Sequence, residues 1–215
     1  MAGKNSTALE TINISGAAIS AADAKLLAKL IRSSGAANIK ILKLARNAIS
    51  QQALKYIFEA WKYNQTITVL SLARSGINDK TVKYVAKMLS KNETLQELDL
   101  SSNRITASGM ELLSEGLVLR TNRTLREINL AYNLFSGDAV SELMKGVAVN
   151  STLESINFTN CGISTEGALA IAEVLPSARG LQNLGLTSNP DIAVEGYWAL
   201  SNNLAKNHSM KGIQL

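Results

Sequence analysis

The sequence predicts an α/β solenoid, a right-handed stack of strand–turn–helix–turn units with a parallel sheet on the concave side and helices on the convex side, in about 7.5 repeats of 28–30 residues. Three observations carry this. A strip with apolar residues at places 1, 4, 6 and 11 recurs along the chain. Between strips the apolar period changes from 2 to 3.6. An Asn-x-Thr/Ser tripeptide stands at a fixed distance before most strips.

The strips are LETINISGAAI from Leu9, IKILKLARNAI from Ile39, ITVLSLARSGI from Ile67, LQELDLSSNRI from Leu95, LREINLAYNLF from Leu125, LESINFTNCGI from Leu153, LQNLGLTSNPDI from Leu181 and a truncated MKGIQL from Met210. Their starts lie 30, 28, 28, 30, 28, 28 and 29 residues apart, which places the whole chain, 1–215, in one repeat domain. Places 4 and 6 share one face of a short strand and are expected to be buried, while places 3, 5, 7 and 8 should point out of the concave sheet. At place 9, Asn47, Asn103, Asn133, Asn189 and Cys161 are expected to hydrogen-bond the backbone of the next turn. Ala17 and Ser75 depart from this pattern and should loosen their turns locally.

After each strip a helical stripe appears. Val82, Val85, Ala86 and Leu89 have i, i+3, i+4, i+7 spacing, and Leu112, Leu113, Gly116 and Leu117 take the same role one repeat later. Asn64, Asn92, Asn122, Asn150 and Asn207 each stand three residues before a strip, where a left-handed Asn is expected to close the helix. With Asn5, Asn13 and Asn157 these make eight N-glycosylation acceptor tripeptides. Since five of the eight share one repeat phase, they are read as architecture rather than as glycan sites.

The strip LQELDLSSNRI resembles the leucine-rich repeat signature L-x-x-L-x-L-x-x-N/C-x-L, and the period resembles the ribonuclease-inhibitor-like branch of that family, from about Leu9 to Leu215. The family resemblance implies a leucine-rich-repeat horseshoe. The stretch KNETLQELDLSSNRITASGMELLSEGL is similar to tropomodulin-type repeats in its N-x-T-L junction, strip and small-residue helix start, units shared with NOD-like receptors. That kinship implies a cytoskeletal partner such as actin. Ran GTPase activators are similar in fold and period, which implies a small GTPase as the alternative partner, with Arg46, Arg74 and Arg104 on turn places.

Composition excludes much chemistry. The chain of 215 residues, 46% apolar, suffices for a core, and its one cysteine and one histidine, Cys161 and His208, cannot furnish a zinc site, a disulfide or a Cys/His catalytic pair. Gly76–Thr81 (GINDKT) lacks the spacing of a phosphate loop. Glu97, Asp99 and Glu127 could gather around a hard cation, but exposed strand carboxylates are more often plain polar surface. No enzyme, metal or cofactor is therefore expected. Without an apolar leader or an apolar run of about 18 residues, the chain reads as intracellular, in the cytoplasm.

Charge is distributed unevenly. Before Thr94 there are 14 Lys and Arg against 5 Asp and Glu, a net of +9; from Thr94 onward 8 stand against 12, a net of −4. On the concave face the exposed places offer Lys43, Arg46 and Arg74, then Glu97, Asp99, Glu127, Asn129 and Tyr132, then Ser155, Asn157, Thr159, Asn160, Asn183, Thr187 and Ser188. This order fits a partner of complementary order, although exposed places are polar in any case and neighbouring Lys and Glu can pair with each other. On the convex side Lys25, Lys55 and Lys83 share one repeat phase, and Lys80, Lys83, Lys87 and Lys91 line one helix face. Glu111 ends the row, followed by Glu115 four residues on; Leu169 and Trp198 take the same phase later and make a candidate apolar contact.

These features predict a non-catalytic protein–protein interaction module or scaffold that binds mainly through the concave face. A GTPase-activating or regulatory protein is one alternative, and a basic-surface binder of nucleic acid or anionic membrane is another. Against the last, only Tyr84 interleaves with the lysines, Arg is scarce there, and no nucleic-acid motif appears. The first and last strips have no capping unit, so self-association through end strands, or continuation of the chain, is also expected.

Overall fold

The computed structural model describes residues 9–33, 38–117, 122–135 and 139–215. Asn5 lies outside the described residues, as do the side chains of Glu115, Gly116 and Leu117. Strands and helices alternate: β1 (Thr11–Asn13), α1 (Ala21–Arg32), β2 (Ile41–Lys43), α2 (Gln51–Trp61), β3 (Val69–Ser71), α3 (Asp79–Leu89), β4 (Glu97–Asp99), α4 (Ala107–Leu117), β5 (Glu127–Asn129), α5 (Ala139–Val149), β6 (Ser155–Asn157), α6 (Thr165–Val174), β7 (Asn183–Gly185), α7 (Val194–Leu204) and β8 (Gly212–Gln214). The strands form one parallel sheet in sequence order, β1 to β8. Each strand covers places 3 to 5 of its strip, and every pair is in the register the template requires, as in Leu42↔Leu70 and Leu70↔Leu98. Strands stack about 4.8 Å apart. Packed helices need about 8–10 Å. A stack with one of each per repeat therefore curves toward its strands, which fixes the sheet as the concave side.

The core lies between the two layers. Place 4 contributes Leu42, Leu70, Leu98, Ile128, Ile156 and Leu184, and place 6 contributes Leu44, Leu72, Leu100, Leu130, Phe158 and Leu186, all buried. Place 11 adds Ile49, Ile77, Ile105, Phe135 and Ile163, with Ile192 in the same role despite the extra residue near Pro190. Phe135 and Phe158 meet edge to face at 6.3 Å. The helical stripe Val82, Val85, Ala86 and Leu89 is buried as expected, with Leu113; Leu112 is half-buried. Ser20, Ser50 and Ser164, at place 12, cap α1, α2 and α6 by accepting the N–H of Asp23, Ala53 and Gly167. Among the described residues no helix is long and apolar enough to cross a membrane.

The asparagine ladders differ from expectation in two ways. The junction residues Asn64, Asn92, Asn122, Asn150 and Asn207 are not left-handed. They act through their side chains: Asn92 Oδ1 accepts the N–H of Thr94 and Leu95, while Nδ2 donates to the Trp61 and Asn64 carbonyls of the repeat before, at 3.0 Å each. A side chain that closes its own turn and pins the preceding one has no need of an unusual φ. At place 9 the bonds likewise run to the preceding repeat, not the next. Asn103 Nδ2 donates to Leu72 O at 2.9 Å and Asn133 Nδ2 to Leu100 O at 3.0 Å.

The left-handed conformation appears at place 8 in seven repeats: Gly16, Arg46, Arg74, Ser102, Tyr132, Asn160 and Ser188 have φ between 50 and 72°. Where place 9 is small (Ala17, Ser75, Cys161), a second left-handed residue follows at place 10: Ala18 (φ 52°), Gly76 (75°) and Gly162 (71°). This altered turn presents its place 9 and 11 N–H groups to the next repeat's asparagine. Asn103 Oδ1 accepts from Ser75 and Ile77, and Asn189 Oδ1 from Cys161 and Ile163, at 3.0 Å each. Ser75 Oγ also donates to Leu44 O at 3.0 Å, a bond that stands in for the asparagine's at this place. Opposite Ala17 of the first repeat, the buried Oδ1 of Asn47 has no partner among the described residues.

Candidate protein-binding faces

On the concave floor the parallel register aligns two rows. Val69, Glu97, Glu127 and Ser155 stand side by side at place 3; Lys43, Ser71, Asp99, Asn129 and Asn157 do so at place 5. Together they line a shallow groove of about 500 Å³. Place 5 has a structural task that the sequence pattern had not revealed. Asp99 Oδ1, Asn129 Oδ1 and Asn157 Oδ1 each accept the N–H two residues on, closing the strand, at 3.0, 3.1 and 2.9 Å. Asp99 Oδ2 also accepts the Ser71 hydroxyl at 3.1 Å. Glu97 and Glu127 have no such employment. They are exposed neighbours, about 4.8 Å apart by the strand spacing, and among the described residues neither forms an ion pair. Lys43 is likewise without an ion pair among the described residues, so cross-strand pairing does not neutralise the floor. The half-buried Ile41 and Val69 at the same place 3 put an apolar step beside the carboxylates.

Five of the residues expected on the floor stand elsewhere. Arg46, Arg74, Tyr132, Asn160 and Ser188 are exposed on the left-handed turns at place 8, and so form a rim at the carboxyl ends of the strands. A two-residue alternation cannot be extended through a turn, which is why counting places misassigned them. Place 7 fails for the same reason at Ala131, which is buried. Tyr132 and Leu134, 56% and 67% exposed, give this rim an apolar spot.

The helix face keeps the expected lysines in register. Lys25, Lys55 and Lys83 are exposed on α1, α2 and α3, with Lys80 and Lys87 also exposed on α3. The expectation that Tyr84 alone interleaves with them is corrected. Tyr56 lies one repeat earlier in the same phase, with Lys25 Nζ 5.1 Å from its ring centroid, as Lys83 Nζ is 5.3 Å from that of Tyr84. Glu59 pairs with Lys62 at 2.6 Å and with Lys87 at 3.9 Å. The hydrogen bond from Lys62 holds its carboxyl below the ordinary range. Further along, Leu169 and Trp198 are 44% and 70% exposed, and Val194 joins them at 72%.

Cys161 is buried, and its Sγ donates to Leu130 O at 3.2 Å. Burial pushes the thiol up to about 12, far from the range of a nucleophile. No group of three His, Cys, Asp or Glu placed to hold a metal ion occurs among the described residues.

Comparison with known proteins agrees with this architecture. Residues 38–118 match the family described as the TMOD/LMOD leucine-rich domain, and residues 121–144 and 149–172 match the leucine-rich repeat family. Among solved structures the chain is similar to the leiomodin-1 actin-binding site 2, with 21% identity, a TM-score of 0.56, and 88% of this chain and 91% of that chain covered. It is also similar to the tropomodulin C-terminal domain from Caenorhabditis elegans, with 17% identity, a TM-score of 0.49, and 86% and 93% of the two chains covered. No curated protein sequence matches it.

Proposed function

The chain belongs to the leucine-rich repeat proteins, and on that premise we propose that it is a non-catalytic interaction module whose concave groove holds a partner protein. The observation that carries this is the pair Glu97 and Glu127, two adjacent exposed carboxylates that no cation of the described chain neutralises. Like charges held side by side raise the energy of the free surface, and a basic side chain brought between them relieves it. The apolar step at Ile41 and Val69 lets that contact exclude water on one side. Leu169 and Trp198 are assigned as an auxiliary apolar contact on the convex face.

Actin is the first candidate partner. The reading is supported by the TMOD/LMOD match over residues 38–118 and by the actin-binding role stated for the similar leiomodin-1 domain. The test is co-sedimentation with filamentous actin together with anisotropy on labelled monomeric actin. Glu97→Lys with Glu127→Lys is the informative variant, because Asp99 also holds Ser101 N–H and the Ser71 hydroxyl. Binding by the parent chain and its loss in the double variant are expected. Binding that survives the reversal would move the site away from the groove, and no binding to either form of actin would remove actin as partner.

A further inference from the structure

We propose that the convex face of α1–α3 is a second binding surface, and that its partner is an acidic protein segment in helical form with carboxylates one heptad apart. Lys25, Lys55 and Lys83 are equivalent rungs on three successive helices. Neighbouring helices pack about 8–10 Å apart, and a helix laid across them advances about 1.5 Å per residue. One rung therefore corresponds to about five to seven residues of the crossing helix, and at 3.6 residues per turn only the seven-residue step returns to the same helix face, which selects the heptad.

The cations are available and the local acids are not. Asp23 is engaged by the Ser20 N–H and hydroxyl in the α1 cap; Asp79 accepts the N–H and hydroxyl of Thr106; Glu59 is held by Lys62 and Lys87. Lys25, Lys55 and Lys83 form no ion pair among the described residues. Beside the ladder, a groove of about 490 Å³ between α1 and α2 is lined by Ala28 and the Tyr56 ring together with Lys25, Lys29, Arg32 and the engaged Glu59. This gives an apolar side chain of the crossing helix a place to anchor.

The same geometry disfavours nucleic acid. Tyr56 and Tyr84 are half-buried, and Lys25 and Lys83 already stand over their rings. Gln52 and Gln51 bond their hydroxyls at 3.2 and 3.4 Å. Neither ring is a free stacking platform for a base.

The test uses fluorescein-labelled synthetic helical peptides of one composition, with three Glu and one Leu. One peptide carries Glu at i, i+7 and i+14, and the other carries them at five-residue steps. Anisotropy should show the heptad peptide bound about tenfold or more tightly, a difference of about 1.4 kcal/mol. Lys55→Glu with Lys83→Glu should abolish that preference. Both residues are exposed, and circular dichroism checks that the fold is kept. Glu97→Lys with Glu127→Lys should leave peptide binding intact, which separates this surface from the concave groove. Equal binding of the two peptides, no binding of either, or tighter binding of a DNA duplex or phosphatidylserine vesicles would overturn the proposal.

Discussion

Replacing Asn103 by Ser should destabilise the protein more than replacing Asn133 by Ser, although both occupy place 9 of adjacent repeats. On the donor side the two differ only in a longer third contact, from Asn103 Nδ2 to Ser101 O at 3.2 Å. Asn103 Nδ2 reaches Leu72 O and Leu100 O at 2.9 and 2.8 Å, and Asn133 Nδ2 reaches Leu100 O and Leu130 O at 3.0 and 2.8 Å. A serine can keep much of this, as Ser75 shows by donating to Leu44 O at 3.0 Å. On the acceptor side they differ. Asn103 Oδ1 receives the N–H of both Ser75 and Ile77, whereas Asn133 Oδ1 receives that of Ile105 alone. A hydroxyl on Cβ is too short to replace the carboxamide oxygen, so two N–H groups are orphaned in one variant and one in the other. Ser75, Ile77 and Ile105 are all fully buried, and each orphan costs about 1–3 kcal/mol. Asn133→Ser should therefore cost about 1–3 kcal/mol and Asn103→Ser about twice that. Urea unfolding followed by circular dichroism and by fluorescence of the buried Trp61 measures both, and coincident transitions would license the comparison. Equal midpoints, or a larger loss for Asn133→Ser, would refute the idea that the altered turn of the third repeat leans on its neighbour's asparagine.

Other outcomes follow from single positions. Because burial pushes the Cys161 thiol up to about 12, the folded state holds its proton more tightly than the unfolded chain. The stability this gives is complete below pH 9, the unfolded value, and falls by up to about 1.4 kcal/mol per pH unit as pH rises from 9 toward 12. Cys161→Ser should show a shallower alkaline decline than the parent chain, and parallel declines would count against the burial argument. Gly109→Ala places a methyl 2.3 Å from Asp79 Oδ1 and 2.8 Å from Ile105 Cγ2. It should lower stability by about 1–3 kcal/mol despite the better helix propensity of Ala, and an unchanged melting temperature would show that α3 and α4 separate without cost. Iodide should quench Trp198 and spare Trp61, which are 70% and 0% exposed. A saturating partner that leaves this quenching unchanged would exclude Trp198 from the interface.

How much of this was legible in the sequence depended on whether a position is governed by period or by turn geometry. Places 4, 6 and 11 are set by alternation and helical spacing, and every one from Leu42 to Ile192 is buried as the template requires. The floor residues Lys43, Glu97, Asp99, Glu127, Asn129 and Asn157 were likewise readable, because β2 to β6 keep strict alternation. Arg46, Arg74, Tyr132, Asn160 and Ser188 were misplaced where the backbone enters the left-handed region and alternation ends. The reversal of the asparagine bonds was hidden for a different reason. A repeat pattern gives the phase of each side chain but not which neighbour it reaches, and only the register of the stacked turns decides that. A sharper signal was available at two of the three altered turns: Gly76 and Gly162 follow a small place 9, whereas no glycine follows an asparagine there, the residues being Ala48, Arg104, Leu134 and Pro190.

The two faces differ in how their charges are employed, and this bears on what each can recognise. On the concave floor, Asp99, Asn129 and Asn157 at place 5 serve the strand ends, so on β4 and β5 place 3, where Glu97 and Glu127 stand, is freer to vary without cost to the fold. A partner held there, as proposed, would be selected by few groups set on rigid strands, which favours one with a single well-placed cation. On the convex side the lysine rungs bond to no backbone among the described residues, and the acids that would neutralise them are engaged by Ser20, Thr106 and Lys62. That surface can change its charge with little structural penalty, and it ends where Glu111 takes the rung on α4. A partner reaching past α3 would meet repulsion if acidic, so the ladder limits the length of segment it accepts as well as its charge.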